Sequence, residues 1–164
     1  SDIYAPYFYI DDNGDFTGID VEIAHEACGR MNIQPVFKKI VWQNKDVYLE
    51  NGEVVIFAAG IGHPYFSTDT ALVLRAVEME ADIILSGKSI DGVYDSDPAV
   101  NPDAKKYDEI DINEVINQRL GVIDLAAAVL CMENHMPMMI FGLNEENSIV
   151  NTVQGTTHGT LVTA

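Results

Sequence analysis

The stretch "EVVIFAAGIGHPYFSTDT", residues 53–70, decides how the chain is read as a fold. Its apolar run has the length of a buried strand, and the Gly-x-Gly of Gly60 and Gly62 permits a sharp turn. Ser67, Thr68 or Asp69 can then cap the helix that "ALVLRAVEME" continues. Strand, glycine turn and capped helix form the general layout of an anion cradle, where the first free N–H groups of a helix point at an oxyanion. The same residues serve equally as a plain strand–turn–helix joint, and a lone Gly-x-Gly does not choose between the two. The dinucleotide fingerprint is not met, because Tyr65 stands where its third glycine belongs.

Working outward, strand-like and helix-like segments alternate. On the N-terminal side, "APYFYI" (5–10) and "PVFKKIVW" (35–42) read as strands. Between them "GIDVEIAHEACGRM" reads as an amphipathic helix, and "NKDVYLENGE" as a short helix or turn before the run at 54–59. On the C-terminal side follow a helix over 69–80, the strand "ADIILS" and a long polar segment from Lys88 to Asp111. Helices "INEVINQ" and "VIDLAAAVLCMEN", strand "PMMIFGL", helix "NSIVNTVQG" and strand "GTLVTA" complete the chain. Strands separated by helices predict an α/β fold: a three-layer α/β/α sandwich, Rossmann-like, with a mostly parallel sheet. The expected organisation is a single α/β domain over residues 1–164.

Composition limits the partners. A net charge of -17 with nine Lys and Arg argues against DNA, RNA or anionic membrane, which are bound through basic side chains. A phosphate ligand would need backbone N–H groups or a divalent metal. With 48% hydrophobic residues and no apolar run long enough to span a bilayer, the chain reads as a soluble globular protein. Its first residues lack a basic segment followed by an apolar one, so the expected location of the chain as given is cytoplasmic. Cys28 and Cys131 lie in helix-like segments without metal-type spacing and read as small buried hydrophobes. His25, His63, His135 and His158 are scattered, and Met132, Met136, Met138 and Met139 read as core filling. Asp11, Asn13, Asp15 and Glu22 imitate a calcium loop, but Phe16 stands where that loop needs glycine, so a hairpin-like turn into a helix is expected and no metal site.

The segment "GKSIDGVYDSDPAVNPDAKKYDEID" is too long for an incidental connection. Three uses remain open: a lid over a ligand, a metal site built from Asp91, Asp95 and Asp97, or a solvated excursion.

From about Glu53 to Ala164 the chain resembles the C-terminal half of the bacterial uridylate (UMP) kinases, of the amino-acid-kinase fold. The stretches that carry the resemblance are "VVIFAAGIGHPYFSTDTA", "EADIILSGKSIDGVYDSDPAVNPDAKKYDEI", "VIDLAAAVLCMENHMPMMIFGLN" and "GTTHGTLVTA". The resemblance implies UMP contacts at Gly60, Ile61, Gly62, His63, Pro64, Tyr65, Phe66, Ser67 and Thr68, and a catalytic acid at Asp69. Ile61 and His63 replace the Thr and Asn usual in that family. For ATP, with Mg²⁺, it implies Lys88, Tyr94 and Asp97, Lys88 standing where Thr is more common.

Residues 1 to about 52 resemble instead the first lobe of periplasmic solute-binding proteins for amino acids, through "APYFYIDDNGDFTGIDVEIAHEACGRM" and "WQNKDVYLENGEV". That resemblance places Tyr7 and Phe8 where an aromatic ring packs on the ligand, and the two resemblances together imply a chimera joined near Asn51–Glu53. Residues 1–52 contain neither a "KxSG" nor a "GGGN" segment of the kinase family, so weak nucleotide binding without catalysis is the expectation. The alternatives are an amino-acid-binding module and a scaffold without a ligand. A sheet assembled from two parents is expected to leave an edge or apolar face uncovered and to form a homodimer.

Overall fold

The computed structural model describes residues 5–38, 40–55, 57 and 60–164, without the side chain of Trp42. The chain divides into two compact units, Ser1–Gly60 and Ile61–Ala164.

In the first unit, β1 (Tyr9–Ile10) pairs antiparallel with β2 (Phe16–Thr17). The turn between them is built on Asp11, whose Oδ1 accepts from the N–H of Asn13 at 2.9 Å and of Asp15 at 3.0 Å. The carboxylate of the calcium-like pattern thus closes a hairpin turn. Helix α1 (Ile19–Arg30) starts after Gly18, at φ 118, where a Cβ would collide with the Tyr7 carbonyl. This close approach lets Ile19 and Asp20 donate their N–H groups to the Pro6 and Tyr7 carbonyls, at 3.1 and 2.9 Å. The Phe8 and Phe16 rings stack with centroids 5.3 Å apart, and Phe37 joins them between Phe16 and His25. A single 3-10 turn, Trp42–Asn44, leads into α2 (Lys45–Glu50).

Strand formation is narrower here than the residue types suggest. Of "APYFYI" Tyr9 and Ile10 are strand, paired with β2, and Phe8 makes only a single bridge. In "PVFKKIVW", residues 35–38, 40 and 41 are irregular and Lys39 lies outside the described residues. Val54, Val55 and Phe57 are not strand either, while Ile56, Ala58 and Ala59 lie outside the described residues. β-branched and aromatic residues make a strand only where a neighbouring ladder pairs with them.

The second unit contains α3 (Thr68–Glu78), β3 (Ile84–Lys88), β4 (Glu109–Asp111), α4 (Ile112–Asn117), α5 (Leu125–Glu133), β5 (Met138–Gly142), α6 (Ser148–Val153) and β6 (Thr160–Thr163). The sheet order is β3-β5-β6-β4. Strands β3 and β5 run parallel, as do β4 and β6, whereas β5 and β6 are antiparallel. The sheet is therefore mainly parallel within an α/β fold. Strand β4 lies inside the stretch that reads as loop, and "ADIILS" becomes strand only from Ile84, continuing to Lys88.

One sheet face carries Ile84, Met138, Ile140, Val162 and Ile110, which meet Val73 of α3, Ile112 and Val115 of α4, and Ala127, Ala128 and Cys131 of α5. Val73, Ile140 and Ala127 are wholly buried, and a buried aliphatic side chain of valine or isoleucine size contributes about 2 kcal/mol. Burial raises the Cys131 thiol to about 11, so it behaves as a small hydrophobe.

Candidate functional site

Helix α3 starts as its sequence dictates: the Ser67 Oγ accepts from the N–H of Asp69 at 3.0 Å and of Thr70 at 3.2 Å. Helix α5 starts on Asp124, whose Oδ1 accepts from the Ala127 N–H at 3.0 Å. The two starts are joined, since the Asp124 carboxylate also accepts from the Ser67 hydroxyl and from Thr70 Oγ1 at 3.3 Å. Lys88, the last residue of β3, donates its ammonium to Asp69 Oδ1 at 2.5 Å. Two helix N-termini, two carboxylates, two hydroxyls and one lysine thus converge beyond the end of β3. Burial opposes ionisation of Asp124, yet the Ser67 hydroxyl, the Ala127 and Ala126 N–H groups and Thr70 outweigh it and hold the carboxyl below its ordinary value.

A second feature lies further along the loop. A cleft of about 290 Å³ is lined on one side by Ile90, Gly92, Val93, Tyr94, Ser96, Asp97 and Pro98, and on the other by Leu120, Gly121 and Val122. Its lining combines aliphatic side chains with the polar groups of Tyr94, Ser96 and Asp97. From the wall, Tyr94 donates its hydroxyl to Asp91 Oδ1 at 2.8 Å, and outside the lining Lys106 donates to Asp91 Oδ2 at 2.8 Å. Burial opposes the Asp91 charge, but those hydrogen bonds and the lysine's charge prevail and lower its pKa. Burial likewise opposes the charge on Lys106, while the Asp91 hydrogen bond and charge raise its pKa. One Asp97 oxygen accepts from the Ala99 N–H at 2.9 Å, an Asx-type turn that sets the rim of the cleft.

The structure divides the residues that the resemblance assigns to ATP. Tyr94 and Asp97 share the cleft, whereas Lys88, two residues before its Ile90, pairs with Asp69. In the run assigned to UMP, Gly62, His63, Pro64, Tyr65, Phe66, Ser67 and Thr68 are exposed and Ile61 is half-buried. Gly60, Gly62 and Tyr65 all have left-handed backbone, at φ 60, 73 and 71, so the missing third glycine is a position that still takes glycine-like geometry. Sequence reasoning missed Asp124 and the cleft wall at Leu120–Val122. An N-cap signal was available for Asp124 in "VIDLAAA", but not its reach across to Ser67 and Thr70.

The depressed carboxyls fix an acid dependence. A group whose folded pKa lies below its unfolded value contributes stability above the unfolded value and loses it as pH falls through the folded one. Stability is therefore expected to drop below the ordinary carboxyl value of 3.8, as Asp91 and Asp124 take up protons. Lys106 has the opposite sign: its contribution is complete below 10.5 and is lost as pH rises through its raised value. Urea midpoints measured across pH check this, and Asp91→Asn combined with Asp124→Asn should flatten the acid limb. An acid limb unchanged in that double variant would remove the assignment.

A sequence profile of the amino acid kinase family matches residues 23–142. The chain is 50% identical over 115 residues to a uridylate kinase of Psychrobacter sp. strain PRwf-1, covering 70% of this chain and 48% of that one. It is 47% identical over 122 residues to the uridylate kinase of Alcanivorax borkumensis, covering 74% of this chain and 48% of that one. The chain thus spans about half the length of the curated relatives it matches. Among solved structures, it is similar to UMP kinase from Ureaplasma parvum at 35% identity and a TM-score of 0.75, covering 87% of this chain and 65% of that one. UMP kinase from Bacillus anthracis is also 35% identical, with a TM-score of 0.71, over 77% of this chain and 52% of that one. The family match begins at Ile23, inside the stretch that resembles a solute-binding lobe, and these matches give that resemblance and a chimeric origin no support.

Proposed function

We propose, from the premise that the chain belongs to the amino acid kinase family, that it is a nucleotide-binding portion of a UMP kinase. The cleft between Ile90–Pro98 and Leu120–Val122 takes the adenine of ATP, and the phosphates extend toward the meeting point of α3 and α5. The observation that carries this reading is the cleft itself, which brings Tyr94 and Asp97 together between apolar walls. Tyr94 offers its ring to the base and Asp97 its remaining acceptor capacity to a base or ribose donor. UMP would lie along Gly60–Thr68, with Asp69 beside the transferred group.

At the phosphate end Lys88 pairs with Asp69, and a second carboxylate, Asp124, lies at the start of α3, so the local charge is unfavourable to a polyphosphate. Binding there calls for Mg²⁺, for which phosphate oxygens are the natural main ligands because both carboxylates are already engaged. When bound, Mg²⁺ would neutralise phosphate charge. Lys88 would exchange Asp69 for a phosphate oxygen, and the Ser67 cap would keep the first N–H groups of α3 aimed in one direction. No glycine–lysine segment of the "KxSG" or "GGGN" type occurs in residues 1–52, which supports binding without turnover by these 164 residues alone.

An NMR titration with ATP, with and without Mg²⁺, tests the reading. A dissociation constant on the order of millimolar, worth about 4 kcal/mol, is expected, tightened by Mg²⁺ and reported by amides 90–98 and 120–122. Absence of shifts at several times that concentration would sink the proposal. A coupled assay with ATP and UMP should give no turnover above background. Turnover near about 1 s⁻¹, abolished by Asp69→Asn, would refute the non-catalytic part alone.

A further inference from the structure

The loop that forms one wall of the cleft is fastened to the sheet through a few contacts outside the cleft. Thr160, fully buried in β6, accepts from the Val93 N–H at 2.9 Å and donates to the Tyr107 carbonyl at 2.5 Å, so one hydroxyl ties both arms of the loop. Lys106 adds a second tie, donating to Asp91 Oδ2 and to the His158 carbonyl, each at 2.8 Å. Glycines bring these pieces together. A methyl at Gly92 would stand 2.6 Å from Thr160 Oγ1 and 2.8 Å from Lys106 Cδ, and one at Gly142 would stand 3.1 Å from Asp91 Cβ. Asp91 in turn holds the Tyr94 hydroxyl at 2.8 Å. Lys106 does not line the cleft, yet the chain Lys106–Asp91–Tyr94 ends in its wall.

We propose that Lys106 is the positioning residue of the cleft: anchored on the His158 carbonyl of the strand entry, it fixes the Asp91 carboxylate, which sets the Tyr94 ring for an aromatic ligand. The inference rests on the reading of the cleft as a base-binding site. Without the ammonium, Asp91 keeps a half-buried charge with one partner fewer and is free to turn toward water. Tyr94 then loses its fixed acceptor. The device acts before any ligand arrives, so its loss appears both in the free protein and in affinity.

Adenosine, which is uncharged, serves as the probe, so the charge lost in Lys106→Met does not itself change the attraction. Lys106→Met is expected to weaken adenosine binding about tenfold, the scale of a lost charge-assisted hydrogen bond. Lys105→Met makes the same charge change at an exposed neighbour and should leave binding unchanged, while Lys106→Arg should restore much of it. In the free protein, the Tyr94 ring signals should move toward flexible-chain values in Lys106→Met and stay in place in Lys105→Met. Undiminished adenosine binding, or unmoved Tyr94 signals, in a folded Lys106→Met overturns the proposal. If the wild-type protein gives no shift with adenosine, the base-binding reading falls and the Tyr94 ring signals alone decide on Lys106. Should Lys106→Met not fold, Tyr94→Phe breaks the same chain at its other end, and adenosine affinity equal to wild type there counts against the mechanism.

Discussion

Replacing Asp124 with alanine is expected to destabilise the protein by about 2 kcal/mol, the sum of a lost helix cap and two hydroxyls deprived of a charged acceptor, discounted for solvent access. The size follows from position. Asp124 caps α5 through the Ala127 N–H and reaches Ser67 and Thr70 at the start of α3, so a single carboxylate holds two helix starts together. Asp124→Asn keeps an acceptor and should recover part of the loss. Urea unfolding gives the measurement, and a change below about 0.5 kcal/mol, the range of ordinary surface substitutions, would show the two helices to be held by other means. On the proposed reading, ATP affinity should fall with stability, since the direction of the first N–H groups of α3 depends on Ser67 staying in place.

A still smaller chemical change is expected to cost more. Gly159→Ala puts a methyl group onto the Ile140 carbonyl oxygen and within 3.1 Å of Met139 Sδ. The obstacle is the backbone of the central strand, which cannot turn aside as a side chain can. Ile140 is wholly buried and pairs with Thr160, the residue after the glycine. Relief therefore requires β5 and β6 to separate, and a loss of about 3 kcal/mol or more is expected, at the upper end of overpacking effects. Gly121→Ala, where nothing lies within 4 Å of the added carbon, is the matched control and should stay within about 0.5 kcal/mol. Equal melting temperatures for the two variants would refute the contact.

What the sequence disclosed follows from how local each signal is. Ser67 is legible as a cap because its partners are the N–H groups two and three residues on, and α4, α5 and α6 are legible because their apolar spacing is local. Asp124 lies inside the stretch that reads as helix from Val122, whereas α5 starts at Leu125 with Asp124 as its cap, and nothing in "VIDLAAA" points to Ser67, 57 residues away. Strand β4 has three residues in a run of acids, and its pairing with β6 depends on a segment about 50 residues later. The antiparallel turn of β6 against β5 was illegible because a helix separates the two strands, a spacing that ordinarily signals a parallel crossover. In the first unit the described residues of the apolar runs at 35–42 and 54–59 are not strand, because composition reports a capacity to form a strand and not the strand itself. The residues that the resemblance assigns to ATP divide in the same way: Tyr94 and Asp97 share a short loop and come together, while Lys88 follows its strand to Asp69.

The order β3-β5-β6-β4 has a consequence for synthesis on the ribosome. Strand β6 is made after every other described strand, yet it stands between β5 and β4, and among the described residues β4 pairs with no other strand. Until Thr160–Thr163 have left the exit tunnel, β3 and β5 can dock but Glu109–Asp111 has no ladder to join. The loop from Ile90 to Tyr107 must wait as well, because its Val93 and Tyr107 ties both end on the Thr160 hydroxyl. The cleft is thus assembled in one late step, and a nascent chain halted before Thr160 has the cleft loop in its sequence without the shape that loop requires.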